Sequence, residues 1–484
     1  MISSRDEIKD FILEIEDRFP VNEWSLNGFY FWPILRIRLF FYLIRQVEYQ
    51  TKKETSNAKL PHKKRSGFAQ KLAKLYAVFY TPFWWSRLPK KKHIFVAQDA
   101  HRVNYKGKRY NRFFDVLIKK YGLEQESMYF ETSKIPSSHI EAGHLLYDYD
   151  KALQVFLRKK RIKSTNLTFE NSSYRDFINT LESNEQTKGF IVNYTEKRLV
   201  KWYERKVVPK LDFFSKLLQK IQPQQLSILC YYSENNMLLI AAANALNVKT
   251  VEMQHGPQSP LHLCYASWNK VPVDGYQVLP REYWCWDKAS KDTIDAWANS
   301  SSLYKAAVIG NPWVDLWKEI PATFSEENYI LYSLQPKPVS LSQLFSENII
   351  DLMKELGLPW FVRLHPRQLG ELETIKTFLK NKGVSELVRI DEATQAALPQ
   401  LLANAIIHVT HYSGTVIEAS QMQTRTIILH PIGKQSFSAL IEAGRAVYLN
   451  PENEDFIQQF TSVIRETTKN ELPETRYSTV KDLF

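Results

Sequence analysis

Cysteine is scarce: Cys230, Cys264 and Cys285 are the only three in 484 residues. They are too few and too unevenly spaced for a disulfide framework. No CxxC pair occurs, which argues against a structural zinc site. A reducing cytoplasm is the expected setting. The N-terminus, MISSRDEIKDFILEIEDRF, lacks the basic start, apolar run and small-residue cleavage site of a secretory signal. Long uninterrupted apolar runs are also missing. The most apolar stretch, Phe29 to Val47, is broken by Arg36, Arg38 and Arg45, with Pro33 near its start. A bilayer span needs roughly 20 mostly uncharged residues, and mid-span arginines are costly in hydrocarbon, so no span is expected. Neither zinc-finger spacing nor an aromatic RNP-type strand is found, and nucleic acid is not an expected partner.

The length suits two or three domains with large cores. The 44% hydrophobic and 24% charged fractions are those of a globular protein. Net charge is +12. Much of the excess is N-terminal: Lys52, Lys53, His62-Lys63-Lys64-Arg65 and Lys90-Lys91-Lys92. Between the last two clusters lies the aromatic segment Leu75 to Trp85. Basic clusters beside Tyr, Phe and Trp suit an anionic membrane surface, or equally a solvated linker next to a buried aromatic segment. The expected location is cytoplasmic, peripheral at the inner face of the membrane.

Residues 1–90 read as a helical, basic-aromatic region, with 51–70 as a linker or exposed loop. From His93 short β-rich runs alternate with helical patterns. Strands are expected at 93–97, 226–231 and 249–254, with a helix over 235–246. Strand, helix, strand at that spacing is a βαβ unit with parallel pairing. A second series follows: strands at 329–334, 360–364, 405–409 and 425–429, and helices near 341–356, 371–382 and 414–423. This predicts an α/β protein with two doubly wound, Rossmann-like domains, 91–320 and 325–484.

In open α/β sheets ligands bind beyond the carboxyl ends of the strands. His365-Pro366-Arg367 closes the strand WFVRL. If the chain stays extended, Arg363, His365 and Arg367 lie on one side and suit a phosphate; the plainer reading is a sheet-edge histidine with two solvated arginines. Thr410 to Ala419 joins a strand to a helix through Ser413-Gly414-Thr415. Helix-start amides and hydroxyls favour an anion there, and simple capping explains the same residues. Glu418, one turn in, is placed either at ribose hydroxyls or in solvent. Gln254-His255-Gly256-Pro257 follows the strand KTVEM, with His255 as base, phosphate ligand or mere turn residue. Asp99 and Glu234, each after a strand, are alternative bases. Lys106 to Tyr110 looks like a basic hairpin. Tyr265, Trp268, Tyr276, Tyr283, Trp284 and Trp286 form either a sugar-stacking wall or core. Val308-Ile309-Gly310-Asn311-Pro312 is a short strand running into a turn.

The order QHG, GNP, HPR and SGTxxEA across about 225–432 resembles bacterial sugar transferases of capsule and O-antigen synthesis with GT-B architecture. It is similar to the families that include Kdo transferases and polysialyltransferases. The acidic-acidic-Gly motif of the polysialyltransferases is reduced here to Val273-Asp274-Gly275. The resemblance implies a nucleotide-sugar donor gripped by His365, Ser413 and Thr415. It implies further a lipid-linked saccharide acceptor on the first domain and a glycosyltransferase reaction. No DxD motif of the usual metal-dependent kind is visible, so a metal-independent enzyme without cofactor is expected. The alternatives are a nucleotide-sugar 2-epimerase, a teichoic-acid-type polyol-phosphate transferase and a non-catalytic scaffold.

Overall fold

A computed structural model describes residues 2–49, 84–132, 146–159, 167–299, 301–320, 328–336, 339–467 and 483–484. The clusters at Lys52–Lys53 and His62–Arg65, and the aromatic run up to Phe83, lie outside them. The chain forms two compact units: 1–258, 262–309 and 480–484 in the first, 259–261 and 310–479 in the second.

Unit 1 holds a parallel sheet of β1 (His93–Gln98), β2 (Ser127–Thr132), β3 (Leu146–Tyr147), β4 (Gln225–Ile228), β5 (Lys249–Met253), β6 (Glu282–Cys285) and β7 (Lys305–Val308). The spatial order is β7-β6-β5-β4-β1-β2-β3. This is the doubly wound order of a Rossmann sheet, with its reversal between β1 and β4. Helices cover such a sheet on both faces, so its strands are apolar throughout rather than alternating; β4 and β6 are buried at every residue.

The N-terminal helices, which the sequence sets apart as 1–90, share the unit 1 core. Ile8, Ile12 and Ile15 of helix Arg5–Arg18 pack with Leu35, Leu39 and Leu43 of helix Trp32–Tyr49. The arginine that breaks the apolar run at position 36 is fully buried. Its Nε meets Glu16 Oε1 at 2.7 Å, and its guanidinium stacks 4.1 Å from the Trp268 ring. Glu16 also accepts from Trp32 Nε1 at 2.9 Å. No helix among the described residues is long and apolar enough to cross a membrane. Of the third basic cluster, Lys92 pairs with Glu126 at 2.6 Å.

Unit 2 holds a parallel sheet of β8 (Tyr329–Ser333), β9 (Trp360–Arg363), β10 (Ala405–Thr410), β11 (Thr426–Ile428) and β12 (Ala446–Tyr448). Their order is β9-β8-β10-β11-β12, reversing between β8 and β10. Ile330, Tyr332, Trp360, Val362, Ile407 and Val409 build its core with Phe456 and Phe460 of helix Phe456–Glu466. The two Rossmann-like α/β units are the fold class that the sequence predicts.

Candidate functional site

In unit 1 the strand ends gather an imidazole–carboxyl cluster. His255 leaves β5 through the turn at Gly256, and Glu252 sits within β5, fully buried. His255 Nδ1 lies 3.5 Å from Glu252 Oε1, which accepts the Tyr265 hydroxyl at 2.7 Å. The His101 ring, just past β1, is 5.8 Å from that of His255. Tyr232, just past β4, sits 6.2 Å from the His255 ring and 5.7 Å from that of His262. Burial raises the Glu252 pKa to about 8, against the Tyr265 hydrogen bond and backbone donors that favour its anion. Burial lowers His255 to about 4, reinforced by the charge of Arg112. At neutral pH the pair therefore holds a protonated carboxyl and a neutral imidazole, the states suited to passing a proton.

Asp99 and Glu234 have other partners. Asp99 is half exposed and takes Arg109 at 3.4 Å, beside the hairpin of Arg102–Tyr105 and Lys108–Asn111. That hairpin turns at Lys106 and Gly107, both at positive φ, as the sequence predicts. Glu234 accepts Lys210 Nζ at 2.5 Å and Trp202 Nε1 at 3.0 Å, and pairs with Arg38. Burial alone would raise its pKa, but Lys210 and Arg38 hold it at about 2. Its oxygens are taken up by these three donors, so in this geometry Glu234 is an ion-pair partner.

Of the two readings of the aromatic segment, wall or core, the structure gives core. Tyr265, Trp268, Tyr276, Tyr283, Trp284 and Trp286 are all buried core side chains. Gln254 is structural, joining Ser290 Oγ at 3.0 Å and the Trp286 N–H at 2.6 Å. Asn311 of the Gly-Asn-Pro turn caps helix Pro312–Lys318 through the Trp313 N–H.

In unit 2 the expected row of Arg363, His365 and Arg367 does not form. Pro366 opens a 3-10 helix, Pro366–Glu371, which ends the alternation. Arg363 instead donates to the carbonyls of Ala393 and Ala396, the latter at 2.7 Å. Its charge caps the end of helix Ile390–Gln395 rather than facing a ligand. His365 Nδ1 accepts the Arg367 N–H at 3.1 Å, which fixes the proton on Nε2. Arg367 is exposed.

The Ser413-Gly414-Thr415 turn leads into helix Thr415–Gln421. Its first amides bond locally: Thr415 N–H to Ser413 Oγ at 3.4 Å and Val416 N–H to Ser413 O at 3.2 Å. Thr415 Oγ1 lies 3.3 Å from His408 Nε2, which is 3.1 Å from Ser333 Oγ. Glu418 is buried. His411, to which the sequence pattern assigns no role, is buried against Tyr332, with Nδ1 3.4 Å from its hydroxyl. A Cβ on Gly433 would meet the His411 carbonyl oxygen at 2.3 Å, so only glycine passes beneath this turn. Among the described residues no three His, Cys, Asp or Glu side chains gather as metal ligands.

These imidazoles carry a stability prediction. Burial depresses His101, His262 and His408 to about 3, and His255 and His411 to about 4, from 6.5. As pH falls from 6.5 toward these values the unfolded chain gains protons that the folded chain refuses, so stability falls. Glu252, raised from 4.5 to about 8, acts oppositely: its contribution is present below 4.5 and lost as pH rises to about 8. Five imidazoles outweigh one carboxyl on the acid side. Denaturant midpoints are expected to drop steeply below pH 6.5 and only shallowly above it.

No protein-family model matches the chain, and no curated protein sequence does. Solved structures do resemble it. The UDP-GlcNAc 2-epimerase of Methanocaldococcus jannaschii, in complex with UDP-GlcNAc and UDP, is 13% identical over 80% of this chain and 96% of its own, with a TM-score of 0.46. The Rickettsia bellii UDP-N-acetylglucosamine 2-epimerase is 14% identical over 79% and 90%, at 0.45. The Neisseria meningitidis UDP-GlcNAc 2-epimerase bound to UDP-GlcNAc is 13% identical over 77% and 92%, at 0.41. At these values the likeness is one of fold. The glycosyltransferase reading is corrected on the chain's own residues: the six aromatics that offered an acceptor wall are buried core.

Proposed function

We propose that the chain is an enzyme acting on a nucleotide-activated sugar, of the 2-epimerase type. The observation that carries this reading is the buried Glu252–His255 pair, neutral on both sides at physiological pH. Inverting C2 requires its hydron to leave while the C–H electron pair forms a C1=C2 bond and expels the nucleotide from C1, and then the nucleotide to re-add at C1 as a hydron returns to the opposite face of C2. A neutral imidazole can accept the departing hydron, and a neighbouring protonated carboxyl can restore the balance. Within unit 2 by itself, the groups that suit a phosphate are the His365 Nε2–H, Arg367 and the hydroxyls of Ser413 and Thr415. No membrane or acceptor saccharide enters this reading.

Thermal shifts with UDP, CMP, GDP and their sugars test it. One nucleotide is expected to stabilise the protein selectively, by about 2.7 kcal/mol at a hundredfold excess over Kd. His365→Ala is expected to remove most of that gain. No stabilisation by any nucleotide would sink the reading.

A further inference from the structure

Unit 1 contains a second polar centre that the proposed reaction leaves unused. A cavity of about 490 Å³ is lined by Ile37, Arg38, Phe41, Tyr42 and Arg45 of helix Trp32–Tyr49. Gly189, Phe190, Asn193 and Tyr194 close another side, and Tyr232 and Glu234 complete it. That volume falls within the range of small-ligand sites.

Glu234, on its wall, is held in place through an irregularity in a helix. Helix Glu196–Trp202 runs through a π turn, Tyr203–Val207, into helix Val208–Ile221. Eight α-helical residues would rotate Lys210 about 80° beyond two turns from Trp202. Absorbing one residue in a π turn removes about 100°, which returns both side chains to one face. Both reach Glu234: Trp202 Nε1 at 3.0 Å and Lys210 Nζ at 2.5 Å. From the other side Arg38 pairs with the same carboxylate and stacks 5.9 Å from the Tyr194 ring and 5.5 Å from Trp202.

The charge is unbalanced. Arg38 and the exposed Arg45 line the cavity with one carboxylate, Glu234, which already pairs with Lys210 and is itself only 17% exposed. Tyr42, Phe190, Tyr194 and Tyr232 supply aromatic walls, with Phe190 and Tyr194 rings 4.6 Å apart. Surplus cations select an anion. Aromatic faces beside a carboxylate that accepts hydroxyls suit a sugar ring. We propose that this cavity binds a saccharide unit carrying a carboxylate or a phosphate. Tyr232 joins it to the proton-transfer cluster, since the same ring faces His255. The site goes beyond the epimerase reading and does not depend on it.

Calorimetric titration of the full chain with glucuronate, glucose 1-phosphate, glucose and inorganic phosphate tests the proposal. Glucuronate or glucose 1-phosphate is expected to bind at least about tenfold more tightly than glucose or phosphate alone. Which of the two binds better identifies the acid. Arg45→Gln is expected to weaken binding about tenfold. Gly189→Ala is expected to weaken it strongly, because the new Cβ meets the Tyr42 hydroxyl at 2.9 Å and that cavity-lining side chain must shift. Only a flexible side-chain end must move, so the fold is retained, as an unchanged melting temperature would confirm. Binding must survive His365→Ala, which separates this site from the phosphate-binding groups proposed in unit 2. Glucose or phosphate alone binding as tightly as the charged sugars would overturn the proposal. So would no binding by any of the four at about 10 mM, loss of binding in His365→Ala, or full binding by a folded Gly189→Ala.

Discussion

Replacing His255 by glutamine is expected to lower turnover of the preferred nucleotide-sugar by about two to four orders of magnitude, with nucleotide binding unchanged. Glutamine keeps much of the volume and a hydrogen-bonding end, but it has no nitrogen that accepts a proton near neutral pH. The wild-type imidazole is held neutral because burial lowers its pKa to about 4. At pH 7 the ring is therefore neutral, with one nitrogen carrying a proton and the other able to accept one. Glu252 supports it from 3.5 Å away and carries a proton up to about pH 8. The pH–rate profile should accordingly be a bell, with an acid limb near 4 and an alkaline limb near 8. The two limbs belong to the coupled pair. Glu252→Gln should remove the alkaline limb while preserving stability at pH 7, because the native carboxyl is uncharged there. Steady-state rates across pH 4–9 on the two variants check this. An unaltered profile in Glu252→Gln would assign that carboxyl a purely structural role.

Arg102→Met is expected to destabilise the protein by about 3–5 kcal/mol. Arg102 is buried with no exposed side-chain surface, as are Glu131 and Asp115. Its fork donates to both Glu131 oxygens, at 2.8 and 3.0 Å, and to Asp115 at 3.2 Å. Asp115 also accepts the Tyr129 hydroxyl at 2.5 Å and the Asn111 N–H at 2.6 Å. Burial alone would lower the Arg102 pKa, but Glu131, Tyr129 and Asp115 raise it above its usual value. Methionine fills the stem volume and leaves two desolvated carboxylates without a cation. Arg102→Lys retains charge yet offers no planar fork, so an intermediate loss is expected. Chemical denaturation of the three proteins ranks them. Equal stability of Met and Arg would contradict the account.

Much of the fold is legible in the sequence because parallel strands buried on both faces read as continuous apolar runs. HIFVA, KTVEM, YILYS, WFVRL and AIIHV are such runs, and each is a strand to within a residue or two. SMYFET and EYWC are harder to read, and the aromatics of EYWC resemble part of a sugar-stacking wall. A four-residue strand rich in aromatics has no period that distinguishes it from a loop. The region 341–356 reads as one helix but breaks at Phe345–Ser346, where Ser346 begins another.

At the site, alternation fails where extended geometry stops. Arg363 and Arg367 share a period-2 register only until Pro366 bends the chain. Glu252 carries a signal that pattern reading passes over: a lone carboxylate inside a strand otherwise buried on both faces. His408 within AIIHV is the same kind of signal, answered by Ser333, Thr415 and Thr426. A polar side chain in such a strand needs a partner that only the fold supplies. Glu234 shows the converse. Its place after a strand suggests a base, while its ion pairs with Lys210 and Arg38 come from residues far apart in sequence.

Hydron exchange at the sugar carbon addresses the proton-transfer claim most directly. The protein is incubated in deuterium oxide with whichever nucleotide-sugar stabilises it most, and the recovered sugar is read by mass spectrometry and proton NMR. Deuterium at C2 together with the C2 epimer is predicted, and both should vanish with His255→Gln. Recovery of the sugar free of deuterium, or exchange that persists undiminished in the variant, would contradict a proton-transfer role for the Glu252–His255 pair.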